Sequence, residues 1–125
     1  MNYRAIGDHC DFLLADLLGV PLFELILRAH LGEPIPEIRR PARHASAVGI
    51  VASRSGTITA APGVSQWSRG DLQLWHRPLR AVGERVELTR TNRDYLGVVR
   101  AIGPDRSSVD AAIAAFRAEE PWVIE

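Results

Sequence analysis

The chain contains no lysine. All fifteen basic residues are arginine and are balanced by fifteen Asp and Glu, so the formal charge is zero. Without lysine, Schiff-base chemistry and lysine-cradled phosphate sites are excluded within the chain. Zero net charge lacks the positive excess by which nucleic-acid binders engage a phosphate backbone, so no nucleic-acid partner is expected. The single cysteine, Cys10, permits no internal disulfide and no thiolate metal cluster. No apolar run approaches the roughly 20 residues of a membrane span. No signal-peptide pattern precedes the first helix, so a cytoplasmic protein with no membrane partner is the plain expectation. His9, His30, His44 and His76 lack the i,i+4 spacing with acids or thiols that builds a zinc site. There is no Gly-x-Ser-x-Gly elbow and no glycine-rich phosphate loop after a strand. The residues by themselves compose no self-contained active site.

What is present begins with two leucine-rich helices. Asp8 stands where an N-cap belongs, a role it fits better than catalysis, and Asp11 adds negative charge to the first turn. Cys10, Leu13, Leu14, Leu17 and Leu18 recur at helical steps on one side, which predicts a packed, inert thiol at Cys10. Gly19 suits the left-handed position that ends this helix, and Pro21 restarts the chain in a first turn. Leu22, Leu25, Ile26 and Ala29 carry the second helix, with Glu24 and Arg28 as an i,i+4 pair. A connection of about two residues folds the helices into a hairpin. Leu22, Phe23, Leu25, Ile26, Leu27 and Leu31 spread around most of the second helix, wider than the stripe of a one-sided surface helix, so a homodimer through the hairpin is expected.

Residues 33–44 hold three prolines and no period and read as an extended connector; Arg39, Arg40 and Arg43 there read as a solvated basic loop. Ala45 to Ser53 reads as a strand, with Ser55-Gly56 turning it into a return strand at Thr57 to Ala60. Pro62-Gly63 opens a loop or short helix through Arg69. Asp71 to Arg77 alternates, with Leu72, Leu74 and His76 opposite Gln73, Trp75 and Arg77, and His76 reads as a core histidine. Val82 to Val86 is a turn into a brief extended piece, broken at Thr91 to Asp94. Tyr95 to Gly103 is the strongest strand. Ser107 and Asp110 suggest a capping-box-like start to a helix over 107–120, lined by Val109, Ala112, Ile113 and Phe116. Trp122 to Ile124 reads as a last short strand. The expected architecture is one α+β domain, 1–125: an N-terminal helical hairpin and a C-terminal helix packed on a small antiparallel sheet of three to four strands.

Asn2-Tyr3-Arg4 running into Gly7-Asp8 resembles the end of the E-x-N-x-R motif of ATP-grasp enzymes. The helical hairpin with its Leu-Gly-Glu-Pro end, the Gly-turn hairpin after residue 53 and the Leu-Gly-x-Val segment at 96 follow in that family's order, so the resemblance reaches from Asn2 to about Phe116. Met1 occupies the apolar position of the motif, so the family's Glu would fall one residue earlier. The resemblance implies the C-terminal portion of an ATP-dependent ligase that makes an acylphosphate and passes the acyl group to an amine or thiol. It implies Asn2 as a magnesium ligand and Arg4 as the contact to phosphate or activated carboxylate, with ATP and Mg²⁺ as cofactors of the complete enzyme and none for the isolated chain. An N-terminal ATP-grasp half on another chain is the implied partner. Asn-Tyr-Arg-Ala-Ile-Gly-Asp-His is similar to ligases of siderophore and other secondary metabolism. The competing expectation is a binding or dimerisation module that keeps the subdomain and has lost catalysis.

Overall fold

The computed structural model describes Gly7 and residues 9–125. Asn2, Arg4 and Asp8 therefore lie outside the described residues. Helix α1 (Cys10–Leu18) is preceded by His9 at its N-cap, in the left-handed region at φ 65° and with no side-chain cap bond. The buried Asp11 carboxylate instead accepts the Gly7 N–H at 2.9 Å, closing the loop that enters the helix. Gly19 ends α1 at φ 62° with its N–H on the Ala15 carbonyl, the termination that only glycine adopts without strain. Helix α2 (Leu22–His30) follows Pro21, and its Arg28 meets Glu24 at 2.7 Å.

Seven strands follow: β1 (His44–Val51), β2 (Gly56–Ala60), β3 (Ser65–Arg69), β4 (Leu72–Pro78), β5 (Arg85–Val86), β6 (Tyr95–Gly103) and β7 (Val123–Ile124), with helix α3 (Arg106–Glu119) between the last two. They form an antiparallel four-stranded sheet in the order β1-β6-β4-β3 and a three-stranded sheet in the order β5-β2-β7. The α+β architecture matches the expectation, with a second small sheet added.

Strand β6 is central because both its faces are apolar. Val99 and Ala101 face α3, while Val98 and Ile102 face the other way, and all four are buried. Such a strand has no solvated side and must be covered twice. On one side α3 supplies Val109, Ala112, Ile113 and Phe116; on the other, α1 packs over β1 and β6. The same core takes in Ile58, Val86 and Ile124 from the small sheet, so the two sheets and α3 share one apolar cluster. Helix α2 touches α1 and leaves Phe23, Leu27 and Leu31 exposed at 46%, 65% and 74%.

Several local expectations are corrected. Strand β2 is not the return strand of a hairpin with β1. Its Thr57 exchanges hydrogen bonds with Glu125 and its Ile58 pairs with Ile124, while β1 pairs with β6 instead. An irregularity at Ile50/Val51 ends β1, the Ala52 N–H is taken by the Asp94 carbonyl, and the Arg54 guanidinium donates to the carbonyl of Ile124. Together these turn the chain out of the first sheet and into the second. Residues 65–69 form a strand where a loop or short helix was expected. Their signal is the turn: Gly70 at φ 59° starts a two-residue loop with Asp71, the place a II′ hairpin turn gives to glycine. Helix α3 starts one residue early, at Arg106, with Asp105 rather than Ser107 as its cap. The Asp105 carboxylate accepts from the Ser108 N–H at 2.8 Å and from the Ser108 hydroxyl at 3.0 Å. Those bonds hold its pKa below the ordinary 3.8. Asp110 meets Arg106 instead, at 3.3 Å. Cys10 is only partly buried, not packed away.

Candidate functional site

The described surface offers a cleft of about 390 Å³ between the start of α1 and the outer face of β3, β4 and β6. Pairing register builds it. Gln66 of β3, Trp75 of β4, Arg100 of β6 and Ala47 of β1 lie in one row across the sheet. Arg77 and Val98 form the neighbouring pair on the same face, two residues along each strand. From above, α1 contributes Phe12 and, one turn on, Asp16. The His9 ring packs tilted against Phe12, with ring centroids 5.7 Å apart, and also lines the cleft.

Arg100 is the site's centre. Its guanidinium carbon lies 5.4 Å from the centre of the Trp75 ring and 5.8 Å from that of Phe12. Both rings present negative π-density to the cation. Asp16 Oδ2 is 3.5 Å from Arg100 Nη1, an ion pair that is not a hydrogen bond, and buried Nη1 finds no acceptor among the described residues. Burial pushes the arginine's pKa down from its ordinary value and the Asp16 charge opposes this; an arginine so placed stays protonated at neutral pH. The arrangement is a cation in an aromatic clamp beside a second, exposed arginine, which suits recognition of an anion.

A second cleft, of about 410 Å³, lies between the end of α3 and β7, lined by Ile50, Leu96, Arg117, Glu120, Trp122 and Val123. His76 belongs to the lining of the first cleft and is buried, as expected of a core histidine. Its ring packs 4.9 Å from Phe116 and 6.3 Å from Trp122, centre to centre. The Gly63 carbonyl accepts from Nδ1 at 2.7 Å, which fixes the proton there and leaves Nε2 as a lone pair. Nε2 and Trp122 Nε1 both lack partners among the described residues. Burial lowers the pKa of His76 below 6.5, against the Gly63 bond and the Glu120 charge, so the ring is held neutral. Another buried acid, Asp94, is structural. It accepts from the Thr89 N–H and hydroxyl and from the Arg90 N–H, and these bonds hold its pKa down while pinning Arg90 at φ 57°.

Of the residues singled out in the sequence, Asn2, Arg4 and Asp8 fall outside the described set; Arg39 and Arg40 are exposed, and Arg43 bonds the Asp71 carbonyl. The cleft residues Phe12, Trp75, Arg77 and Arg100 were not singled out. Alternation places Trp75 and Arg77 on one face of β4, but only the β4–β6 register brings Arg100 beside them. Among the described residues no group of three or more His, Cys, Asp or Glu could hold a metal ion, and no helix is long and apolar enough to cross a membrane.

No model of a known protein family matches the chain. It is 27% identical to a protein of Sinorhizobium fredii (strain NBRC 101917 / NGR234), described as uncharacterized protein y4rH, over 128 aligned positions that take in 99% of this chain and 26% of that protein. The crystal structure of L-amino acid ligase from Bacillus licheniformis superposes with a TM-score of 0.71 at 16% identity, over 98% of this chain and 31% of that one. The chain thus spans about a quarter and a third of these two proteins, and it shares its fold with the corresponding part of the ligase.

Proposed function

We propose that the chain works as the C-terminal portion of an ATP-grasp ligase joining a carboxylic acid to an amine or thiol, and that it is not catalytic alone. The observation that carries this reading is the superposition of almost the whole chain on a part of an L-amino acid ligase. The E-x-N-x-R-like stretch at Asn2-Tyr3-Arg4 supports it from the sequence side. In this reading Asn2 gives an amide oxygen to Mg²⁺ and the Arg4 fork holds the phosphate or acylphosphate. In the same reading the carboxylates that complete a near-octahedral oxygen set around Mg²⁺, and the adenine pocket, belong to the rest of the enzyme. ATP and Mg²⁺ are then cofactors of the whole assembly, and the N-terminal half is the partner. Siderophore-type or other secondary metabolism is the pathway class this reading favours.

Isothermal titration of the chain with Mg-ATP is expected to show no binding. Combined with the complementary N-terminal half, the same chain is expected to release ADP when an acid and an amine are supplied. Micromolar Mg-ATP affinity in the isolated chain would overturn its dependence on a partner. No ADP release from the combined halves would overturn the ligase reading.

The alternative, a binding or dimerisation module without catalysis, is favoured by one feature, the apolar face of α2. The tilted rings of Phe12 and Phe23 pack with centroids 5.3 Å apart on a surface that continues through Leu27 and Leu31. A two-fold dimer is the commonest cover for such a patch. Covering roughly 800 Å² per chain would suffice for a standard interface. Sedimentation equilibrium from low to high micromolar protein is expected to show a dimer. A monomer throughout, with no binding of an apolar dye, would remove this reading.

A further inference from the structure

We infer that the cleft between α1 and the β3–β4 ribbon binds a small carboxylate carrying an apolar or aromatic body. At the centre of the cleft is Arg100, whose side chain is only 15% exposed. A guanidinium so far out of water loses hydration that its neighbours must replace. Asp16 replaces it incompletely: it stands 3.5 Å away, is itself 43% exposed, and leaves buried Nη1 without an acceptor. Trp75 and Phe12 favour the positive charge but accept no conventional hydrogen bond from it. What the guanidinium lacks is a carboxylate in hydrogen-bonding position, which Asp16 approaches without reaching.

Arg77 supplies the second half of the recognition. It lies diagonal to Arg100 on the same face of the sheet, a relation that puts the Cβ atoms about 7–8 Å apart or somewhat less, within reach of two long side chains. It is exposed, so it is free to swing over an incoming anion. A carboxylate between two guanidinia receives forked, charge-assisted hydrogen bonds. The other walls mix the polar His9, Ser65 and Gln66 with Phe12, Val64, Trp75 and Val98, and the apolar part suits the body of such a ligand. A volume of about 390 Å³ is in the range of small-molecule sites. Inorganic phosphate would leave the aromatic walls unused. The inference does not rest on the ligase reading, since it concerns binding without ATP or Mg²⁺.

The test is calorimetric titration of the chain with 3-phenylpropionate, 3-phenylpropionamide and inorganic phosphate, with no nucleotide or metal present. Two-dimensional NMR would follow the Trp75 indole N–H and the Arg100 Nε–H in parallel. The acid is expected to bind in the millimolar range or tighter and to shift both signals. Its amide, which keeps the body and loses the charge, is expected to bind at least about tenfold more weakly. Arg77→Gln is expected to weaken the acid about tenfold as well, and because Arg77 is exposed the variant should keep its fold. Binding of acid and amide with equal affinity would overturn the inference, and so would an Arg77→Gln variant that binds as the parent does. Tighter binding of inorganic phosphate would reduce the cleft to a general anion site, and no binding of the acid would sink the inference outright. The amide comparison needs no variant, so the result stands even if substitutions at Arg100 unfold the chain.

Discussion

Leu96→Ala is expected to cost about 2–5 kcal/mol of stability, read as a lowered midpoint in a denaturant melt. Leu96 is 2% exposed and belongs to the cluster shared by β1, β6, α3 and the small sheet. Its backbone carbonyl accepts from both Leu79 and Arg80, at 2.8 and 3.1 Å, and alanine keeps those bonds. The loss is therefore confined to the side chain: the transfer energy of the removed carbons plus the cavity they leave. Leu27→Ala provides the control. Leu27 is 65% exposed on α2, and removing it should change stability by no more than about 0.5 kcal/mol in the monomer. If the two variants melt alike, the assignment of β6 as the buried central strand is wrong.

The second large effect is expected at Gly97, from the opposite cause. A Cβ at this position would lie 2.8 Å from His76 Nε2, 3.1 Å from the Arg77 carbonyl oxygen and 3.2 Å from the Trp122 ring. None of these neighbours gives way cheaply. His76 is anchored by the Gly63 carbonyl and wedged against Phe116, and the Arg77 carbonyl belongs to the strand paired with β6. Gly97→Val should therefore destabilise the fold by about 1–3 kcal/mol through overpacking. It should also displace the His76 ring, seen as a change in its NMR ring signals and a weakened hydrogen bond from Nδ1. A variant as stable as the parent, with an unmoved His76 ring, would show that β4 and β6 are not packed as described.

How far the sequence carried the fold depended on where each signal was stored. Strand β6 was readable to the residue because apolar side chains and glycines fill 95–103 apart from Arg100, and its two buried faces leave no other use for such a run. Helix α3 and the α1–α2 hairpin were readable from their periods. Strand β3 was missed because Ser65-Gln66-Trp67-Ser68-Arg69 carries one apolar side chain and has the composition of a loop. As an edge strand it buries one face, against α3, through Trp67. The partnership of β2 was misread because Ser55-Gly56 is a good local hairpin signal, yet its strand is claimed by residues near 85 and 124. The cleft was illegible for the same reason. Trp75, Arg77 and Arg100 are unremarkable along the chain, and only the register between two distant strands makes one site of them.

The strand order has a consequence for how the chain assembles. The first sheet runs β1-β6-β4-β3, so one of its two inner strands, β6, is the last of the four to be made. During synthesis the β3–β4 hairpin can close as soon as residue 78 has emerged, because its loop has two residues. Strand β1 has no such neighbour and keeps both edges open until residues 95–103 arrive to join it to β4. Closing those long intervals costs chain entropy before any contact repays it, which makes the folding of such a sheet slow for its size. Until then the chain carries an apolar strand, Ala45 to Val51, with unpaired N–H and C=O groups on both sides, the type of template on which nascent chains associate wrongly. Of the two helices that pack on β1 in the finished fold, α1 and α3, α1 is the one synthesised before it.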